Sequence, residues 1–249
     1  MVTGAASGIG AAIAARLRDA GRHVIGVDLA DADISADLGN DAGRETLRIQ
    51  ANRLSGGRLD ELYACAGVLD RGAETISINY FGSVATLSGL HPLLRQGDAA
   101  RAVVIGSVAG YGDADEPLLS LMLDEDEPCA RAMAVGKDAL TVYSATKIAL
   151  SRWSRAAAIA PDWAGAGILL NVVAPGLVET GLNRDTFNDP SRRALVAKMM
   201  PCPLGRHAQP DEIATLACYL GSPENSFVVG QVIYCDGGQE AFQRGAERF

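Results

Sequence analysis

Apolar positions in this chain follow two spacings. Short, nearly continuous apolar runs recur at residues 23–27, 34–38, 59–64, 102–106 and 229–234, each the length of a strand buried on both faces. Between them, apolar residues return every three or four positions. This happens through Ile13, Leu17 and Ala20, across 43–54, from Ile76 to about Arg95, through Ala149, Leu150 and Trp153, and across 211–221. That spacing predicts helices. Strands alternating with helices predict a single-domain, doubly wound α/β fold over residues 1–249, with a mostly parallel sheet flanked by helices.

Two places strain the pattern. Only Met1 and Val2 precede the glycine-rich segment Thr3–Gly10, so either the first strand is very short or the N-terminus has been trimmed. The same closeness leaves no room for a signal peptide. Only residues 29–33 separate the second and third apolar runs. A parallel crossover takes a dozen or more residues, usually with a helix, so that helix is predicted to be missing.

Composition narrows the class. At 249 residues, 48% hydrophobic and 21% charged, the chain has the make-up of one globular domain. A formal net charge of −8 argues against nucleic acid and anionic membranes as partners. No apolar run reaches membrane-spanning length. The five cysteines are scattered without a C-x-x-C pair, which suits reduced thiols in a cytoplasmic protein. The three histidines lie far apart, and no metal-ligand spacing involves them.

The chemistry begins at Thr3-Gly4-Ala5-Ala6-Ser7-Gly8-Ile9-Gly10. Glycines at this spacing, just ahead of a helical pattern, permit a tight turn and a close backbone approach to a pyrophosphate, and they aim a helix N-terminus at it. Eighteen residues beyond Gly10 the second run ends in Asp28. A dinucleotide fold of the Rossmann type places a carboxylate there to accept hydrogen bonds from the adenosine ribose. Such a carboxylate repels a 2′-phosphate, and Ala5, Ala6 and Ser7 offer no compensating positive charge, so NAD is expected over NADP. Asp37 and Leu38 close the third run and are placed to edge the adenine.

The run 102–106 delivers Ser107 at its C-terminal end, the side on which open parallel sheets bind ligands. A serine there hydrogen-bonds a substrate oxygen or caps the next segment. Tyr143 and Lys147 stand four residues apart on one helix face. An ammonium beside a phenol favours the phenolate and lowers its pKa from about 10 towards neutrality. A phenol tuned in this way is a general acid and base for a carbonyl or an alcohol.

Tyr143 follows Ser107 by 36 positions. The intervening stretch, about 111–138, is acidic at Asp113, Asp115, Glu116 and Asp124–Glu127. It also carries Leu118, Leu119, Leu121, Met122 and Leu123, which predict one short amphipathic helix. It is either a solvated excursion, or a wall over the cleft or cover for a subunit interface. Residues 181–200 are expected to form a lid, with Leu182, Phe187, Leu195, Met199 and Met200 as its apolar contacts, or else a plain surface helix. An apolar lid suits a bulky hydrophobic alcohol or ketone.

Taken together, these segments resemble the short-chain dehydrogenase/reductase family. The resemblance rests on Thr3-Gly4-x-x-x-Gly8-x-Gly10, Cys65-Ala66-Gly67 where the family has Asn-Ala-Gly, Asn79, Ser107 and Tyr143-x-x-x-Lys147. Asn171-x-x-x-Pro175-Gly176, Thr180, Pro203–Arg206 and Asp236-Gly237-Gly238 continue it. It implies that Tyr143 is the acid/base, that Ser107 orients the substrate oxygen, and that Lys147 binds the nicotinamide ribose. Asn79 would hold a water linking Lys147 to solvent. Gly4, Ser7, Gly8, Ile9, Gly10, Asp28, Asp37, Leu38, Ala66 and Gly67 would hold the adenosine and pyrophosphate half. Pro175, Gly176, Val178 and Thr180 would fix the nicotinamide. Cys65 removes an amide that usually braces the central strand.

The missing helix and the insertion resemble the subgroup of bacterial 3α-hydroxysteroid dehydrogenase/carbonyl reductases. The expectation is therefore an NAD-dependent oxidoreductase acting on a secondary alcohol or ketone, most like a 3α-hydroxysteroid. The alternatives are an aryl-alcohol dehydrogenase of the coniferyl alcohol type, a 3-oxoacyl reductase, or a non-catalytic nucleotide sensor. A homodimer is expected, with a homotetramer as the other family arrangement.

Overall fold

The computed structural model describes residues 1–183 and 188–247. Seven strands form one sheet: β1 Val2–Thr3, β2 Gly26–Asp28, β3 Ile34–Ser35, β4 Glu61–Ala64, β5 Arg101–Ile105, β6 Leu169–Pro175 and β7 Val232–Cys235. Their order is β3-β2-β1-β4-β5-β6-β7, and every pairing is parallel. The order reverses between β1 and β4, which opens a ligand crevice at the carboxyl ends of the strands.

Helices cover both faces. On one side lie α1 Gly8–Asp19 and α8 Pro210–Gly221. On the other lie α2 Asp41–Ser55, α3 Ser83–Leu94 and α6 Ala139–Ala158. Ile13, Ala14, Ile213 and Ala217 pack the first side with Val2, Val103 and Val173, all fully buried. β5 reads Arg-Ala-Val-Val-Ile and is buried along its whole length, as a central parallel strand must be.

β1 is only two residues long, and no helix separates β2 from β3. Three expected elements come out differently. β3 stops at Ser35 instead of Leu38, because residues 36–39 turn away from the sheet edge into α2. The helix expected from Ile76 is broken into a turn Glu74–Ile76, a π-helical segment Ser77–Gly82, and α3. Hydrophobic periodicity does not register one extra residue in a turn, so the sequence reads as continuous helix.

The third difference lies in the insertion, which holds two helices, α4 Glu116–Leu123 and α5 Glu127–Ala134. Each starts at an aspartate that accepts from a backbone N–H three residues on: Asp115 from Leu118, and Asp126 from Cys129. Each has proline in its first turn, a strong double start signal. Leu118, Leu119, Met122, Ala130 and Ala134 are buried in one cluster with Val142, Ala145 and Ala149 of α6. Of the acidic residues, Glu116 pairs with Arg152 at the surface, Asp115 pairs with Lys137, and the half-buried Glu127 turns inwards to Arg44.

Over residues 181–200 the described parts are a short turn, Gly181–Asn183, and α7 Pro190–Met199. No residue of α7 is buried, and Leu195 and Met199 are largely exposed. Phe187 lies outside the described residues. Among the described residues, no helix is long and apolar enough to cross a membrane.

Candidate active site

The carboxyl ends of β1, β2, β4, β5 and β6 surround one long cleft. Gly4, Ser7, Ile9, Gly10, Asp28, Asp37, Leu38, Ala66 and Gly67 line one end, and Ser107, Tyr143, Lys147, Pro175, Gly176, Val178 and Thr180 line the other. One fold feature therefore brings together residues spread from position 4 to position 180.

The floor of the first end is the glycine turn. Gly4 sits at φ +67, and a Cβ on Gly10 would lie 2.2 Å from the Gly4 carbonyl oxygen. The turn and α1 can lie this close only with a bare backbone at position 10. Thr3 Oγ1 accepts from the backbone N–H groups of both Cys65 and Ala66, at 3.0 and 3.1 Å. This hydroxyl ties β1 to the end of β4 where Cys65 stands in place of asparagine. Asp28, at the end of β2, accepts from Ala6 N at 3.0 Å and Leu29 N at 2.8 Å. Its carboxylate thus braces the glycine turn from the ribose side. Asp37 accepts from Gly39 N and from Asn40 Nδ2.

At the other end, β5 runs out at Ile105, and Ser107 starts a short 3-10 turn, Val108–Tyr111. Ser107 Oγ accepts from Ala109 N at 3.1 Å and lines the same end of the cleft as Tyr143. The capping bond expected of this serine is therefore present. Lys147, almost fully buried, donates from Nζ to the Ile105 carbonyl at 2.9 Å and lies 5.7 Å from the Tyr143 ring centre.

The electrostatics correct one expectation. Burial pushes the Tyr143 phenol above its ordinary value, and only the neighbouring Ser107 hydroxyl opposes it. Burial also lowers Lys147 from 10.5 to about 8. In the chain alone, desolvation is the largest influence on both groups and disfavours the charged form of each. Cys65 stays a thiol, pushed up to about 12 by burial despite the Lys147 charge nearby.

Asn79 lies in the π-helical segment, fully buried. Its Oδ1 accepts from Val68 N at 2.8 Å, while Nδ2 donates to Val68 O at 2.8 Å and to Thr146 Oγ1 at 3.3 Å. The side-chain amide is thus spent on tying the loop after β4 to the catalytic helix, not on the cleft surface. Thr146 Oγ1 in turn donates to the Tyr143 carbonyl at 2.6 Å. A Cβ on Gly67 would sit 3.3 Å from Asn79 Oδ1 and 3.6 Å from Lys147 Nζ, so these two polar groups flank one point of the cleft wall.

Sequence reasoning missed Val68 and Ile78 in the lining, whereas Gly181 and Asn183 belong to the expected 181–200 segment. The signal for them is topological, since each follows or packs on a strand's carboxyl end. Of the apolar lid residues, Leu182 lines this cleft, whereas Met200 lines a smaller cavity with Cys202, Cys235 and Asp236. A parallel bridge joins Val178 to Ala208.

A glycine turn, an acidic residue at the end of β2, and a Ser–Tyr–Lys cluster at the end of β5 define a dinucleotide-dependent oxidoreductase site. Comparison with known proteins gives the family. Residues 130–240 match a family model described as enoyl-(acyl carrier protein) reductase. The chain is 36% identical over 256 residues to the 3-alpha-hydroxysteroid dehydrogenase/carbonyl reductase of Comamonas testosteroni, covering 98% of this chain and 97% of that one. The crystal structure of the 3-alpha-hydroxysteroid dehydrogenase from Pseudomonas sp. B-0831 complexed with NADH matches with a TM-score of 0.93 and 40% identity, covering 99% and 98%. The Pseudomonas aeruginosa RhlG/NADP active-site complex matches with a TM-score of 0.76 and 30% identity, covering 96% and 94%. The chain belongs to the short-chain dehydrogenase/reductase family.

Proposed function

We propose that this protein is an NAD-dependent oxidoreductase interconverting a secondary alcohol and a ketone on a bulky hydrophobic substrate of the 3α-hydroxysteroid class. One observation carries the reading: Ser107, Tyr143 and Lys147 converge at the end of β5, in a cleft whose far end is closed by Asp28. The likeness to a steroid dehydrogenase complexed with NADH, over almost the whole chain, supports the same reading.

The residues fit the cofactor. The bare backbone at Gly10 and Gly4 leaves room for a pyrophosphate against the α1 N-terminus. Asp28 accepts from ribose hydroxyls, and Pro175, Gly176, Val178 and Thr180 wall the nicotinamide end. When bound, NAD supplies the hydride chemistry. Ser107 orients the substrate oxygen. Tyr143 gives that oxygen a proton during reduction or takes one during oxidation. Lys147, held by Ile105, faces the ribose and keeps positive charge beside the phenol. The cationic oxidised cofactor adds to that charge, which brings Tyr143 down from its raised value. Asn79 and Thr146 fix the helix turn that carries Tyr143.

The apolar side chains of Leu182, Leu195 and Met199 favour a hydrophobic substrate at the open end. In assembly, the insertion covers α6 within its own chain, which favours a homodimer over a homotetramer. Light scattering of the purified protein tests that mass. The substrate class is tested by initial rates on matched panels of 3α-hydroxysteroids, aryl alcohols and 3-oxoacyl thioesters, with NAD and with NADP. The steroid panel with NAD is expected to give the highest kcat/KM. A preference for aryl alcohols or acyl thioesters reassigns the substrate, and no turnover with any panel supports a nucleotide sensor.

A further inference from the structure

The wall beside the adenine end has little sheet to hold it. β3 ends at Ser35, and past the bond from Ala36 N to Asp28 O at 2.9 Å the segment Ala36–Gly39 leaves the strand ladder. Yet Ala36, Asp37 and Leu38 line the cleft. Arg44, from the first turn of α2, takes over there. Its Nε donates to the Leu38 carbonyl at 2.9 Å, and Nη2 donates to the Ser77 carbonyl at 3.0 Å, where the π-helical segment begins. The same guanidinium forms a two-bond pair with Glu127 of α5, at 2.7 and 3.0 Å. These side chains keep only 13% and 22% of their exposure. An additional contact to the fully exposed Asp41, at 3.2 Å, adds little.

The parts joined by Arg44 also touch. A Cβ on Gly82 would fall 2.7 Å from the Leu38 carbonyl oxygen, and one on Gly39 would fall 3.0 Å from Ile78 Cγ1. Leu38 therefore rests on the π-helical segment, and Ile78 of that segment lines the cleft beside it. Arg131 of α5 donates to Ser77 Oγ, so the insertion grips the same point a second time. A planar guanidinium can serve oxygens on three sides at once, and an ammonium on a flexible stem cannot.

We infer that Arg44 is a positioning residue for the adenine half of the cofactor, and that the insertion, through Glu127, is part of the frame of the cofactor site. The inference rests on the cleft being an NAD site. Arg44 itself is not among the residues that line the cleft. It sets where Leu38 stands, and a wall set in advance lowers the ordering cost of binding.

The test measures the Kd for NADH by fluorescence, and inhibition by AMP and by nicotinamide mononucleotide, for Arg44→Met, Arg44→Lys, Glu127→Gln and the double variant Arg44→Met/Glu127→Gln. Losing hydrogen bonds to a charged group weakens binding by about tenfold to a hundredfold. Arg44→Met should raise the Kd for NADH and the Ki for AMP by that factor. It should leave the Ki for nicotinamide mononucleotide, and kcat at saturating cofactor, within about threefold of the parent. Arg44→Lys should melt close to the parent without recovering the affinity. Glu127→Gln alone should weaken NADH by a smaller factor and add nothing in the Arg44→Met background. If Arg44→Met does not fold, Arg44→Lys and Glu127→Gln decide the matter by their AMP-to-mononucleotide ratio. A parent that binds NADH and AMP, with Arg44 variants that bind both equally well, overturns the inference and leaves the NAD reading standing. A parent that binds neither overturns both.

Discussion

Lys147 Nζ lies 5.7 Å from the centre of the Tyr143 ring, and its hydrogen bond goes to the carbonyl of Ile105 at the end of β5. The ammonium is therefore fixed by the sheet and presented to the phenol from the side. It faces the tyrosine ring and makes no direct bond to the phenol oxygen.

Burying that ammonium has a cost that depends on pH. Lys147 is lowered from 10.5 to about 8, so the unfolded chain binds more protons than the folded one between those values. Stability tied to this group therefore rises with pH across that window, and the full penalty, about 3 kcal/mol by linkage, applies below about pH 8. Lys147→Met removes the penalty and leaves the Ile105 carbonyl unpartnered, at a cost of about 1–3 kcal/mol. The variant should be inactive and no less stable than the parent at pH 7, and any advantage should vanish above pH 10. Urea titrations at the two pH values check this, and a marked loss of stability at pH 7 would contradict it.

Asp28, proposed to take the ribose hydroxyls, also holds Ala6 N and Leu29 N. Asp28→Ala should lower the NAD-to-NADP ratio of kcat/KM by about tenfold or more, by removing the charge opposed to a 2′-phosphate. The KM for NAD should rise as well, because the glycine turn loses its brace. Steady-state kinetics with both cofactors measure the ratio, and equal kcat/KM for both in the unaltered protein would refute the assignment.

The insertion is part of the core. Leu118 is fully buried and Leu119 is 1% exposed, whereas Leu123, at the end of the same helix, is 36% exposed. Leu118→Ala or Leu119→Ala should cost about 2–5 kcal/mol, and Leu123→Ala should stay within about 0.5 kcal/mol. Deleting residues 113–135 would bare Val142, Ala145 and Ala149 of α6, so an insoluble or unfolded product is expected. Thermal melts of the point variants check the first claim, and soluble expression checks the second.

The strand–helix alternation and the chemistry at strand ends were legible because buried parallel strands read as apolar runs and each run ends at the cleft. Asp28 and Ser107 follow from that rule, while Gly10 and Tyr143 were marked by the spacing of their motifs. Other features were not legible. The π-helical segment around Asn79 keeps helical periodicity, so the buried clamp from Asn79 to Val68 and Thr146 leaves no local mark. The second insertion helix was hidden because Glu127–Ala134 is short and mostly small, although Asp126 and Pro128 are its start signals. The raised phenol of Tyr143 depends on how deeply the helix sinks, which spacing cannot report. Nothing local marks Arg44 among the charges of α2, because its partners Leu38, Ser77 and Glu127 come from three other segments.

The most direct test of the account is the rate of NADH formation on a 3α-hydroxysteroid by the unaltered protein and by Tyr143→Phe. Phenylalanine keeps the ring and its packing and removes only the exchangeable proton. The account predicts that kcat falls by about a hundredfold to ten-thousandfold, while NADH binds with the parent's Kd. Near-normal turnover by Tyr143→Phe, with NADH still bound, would contradict it.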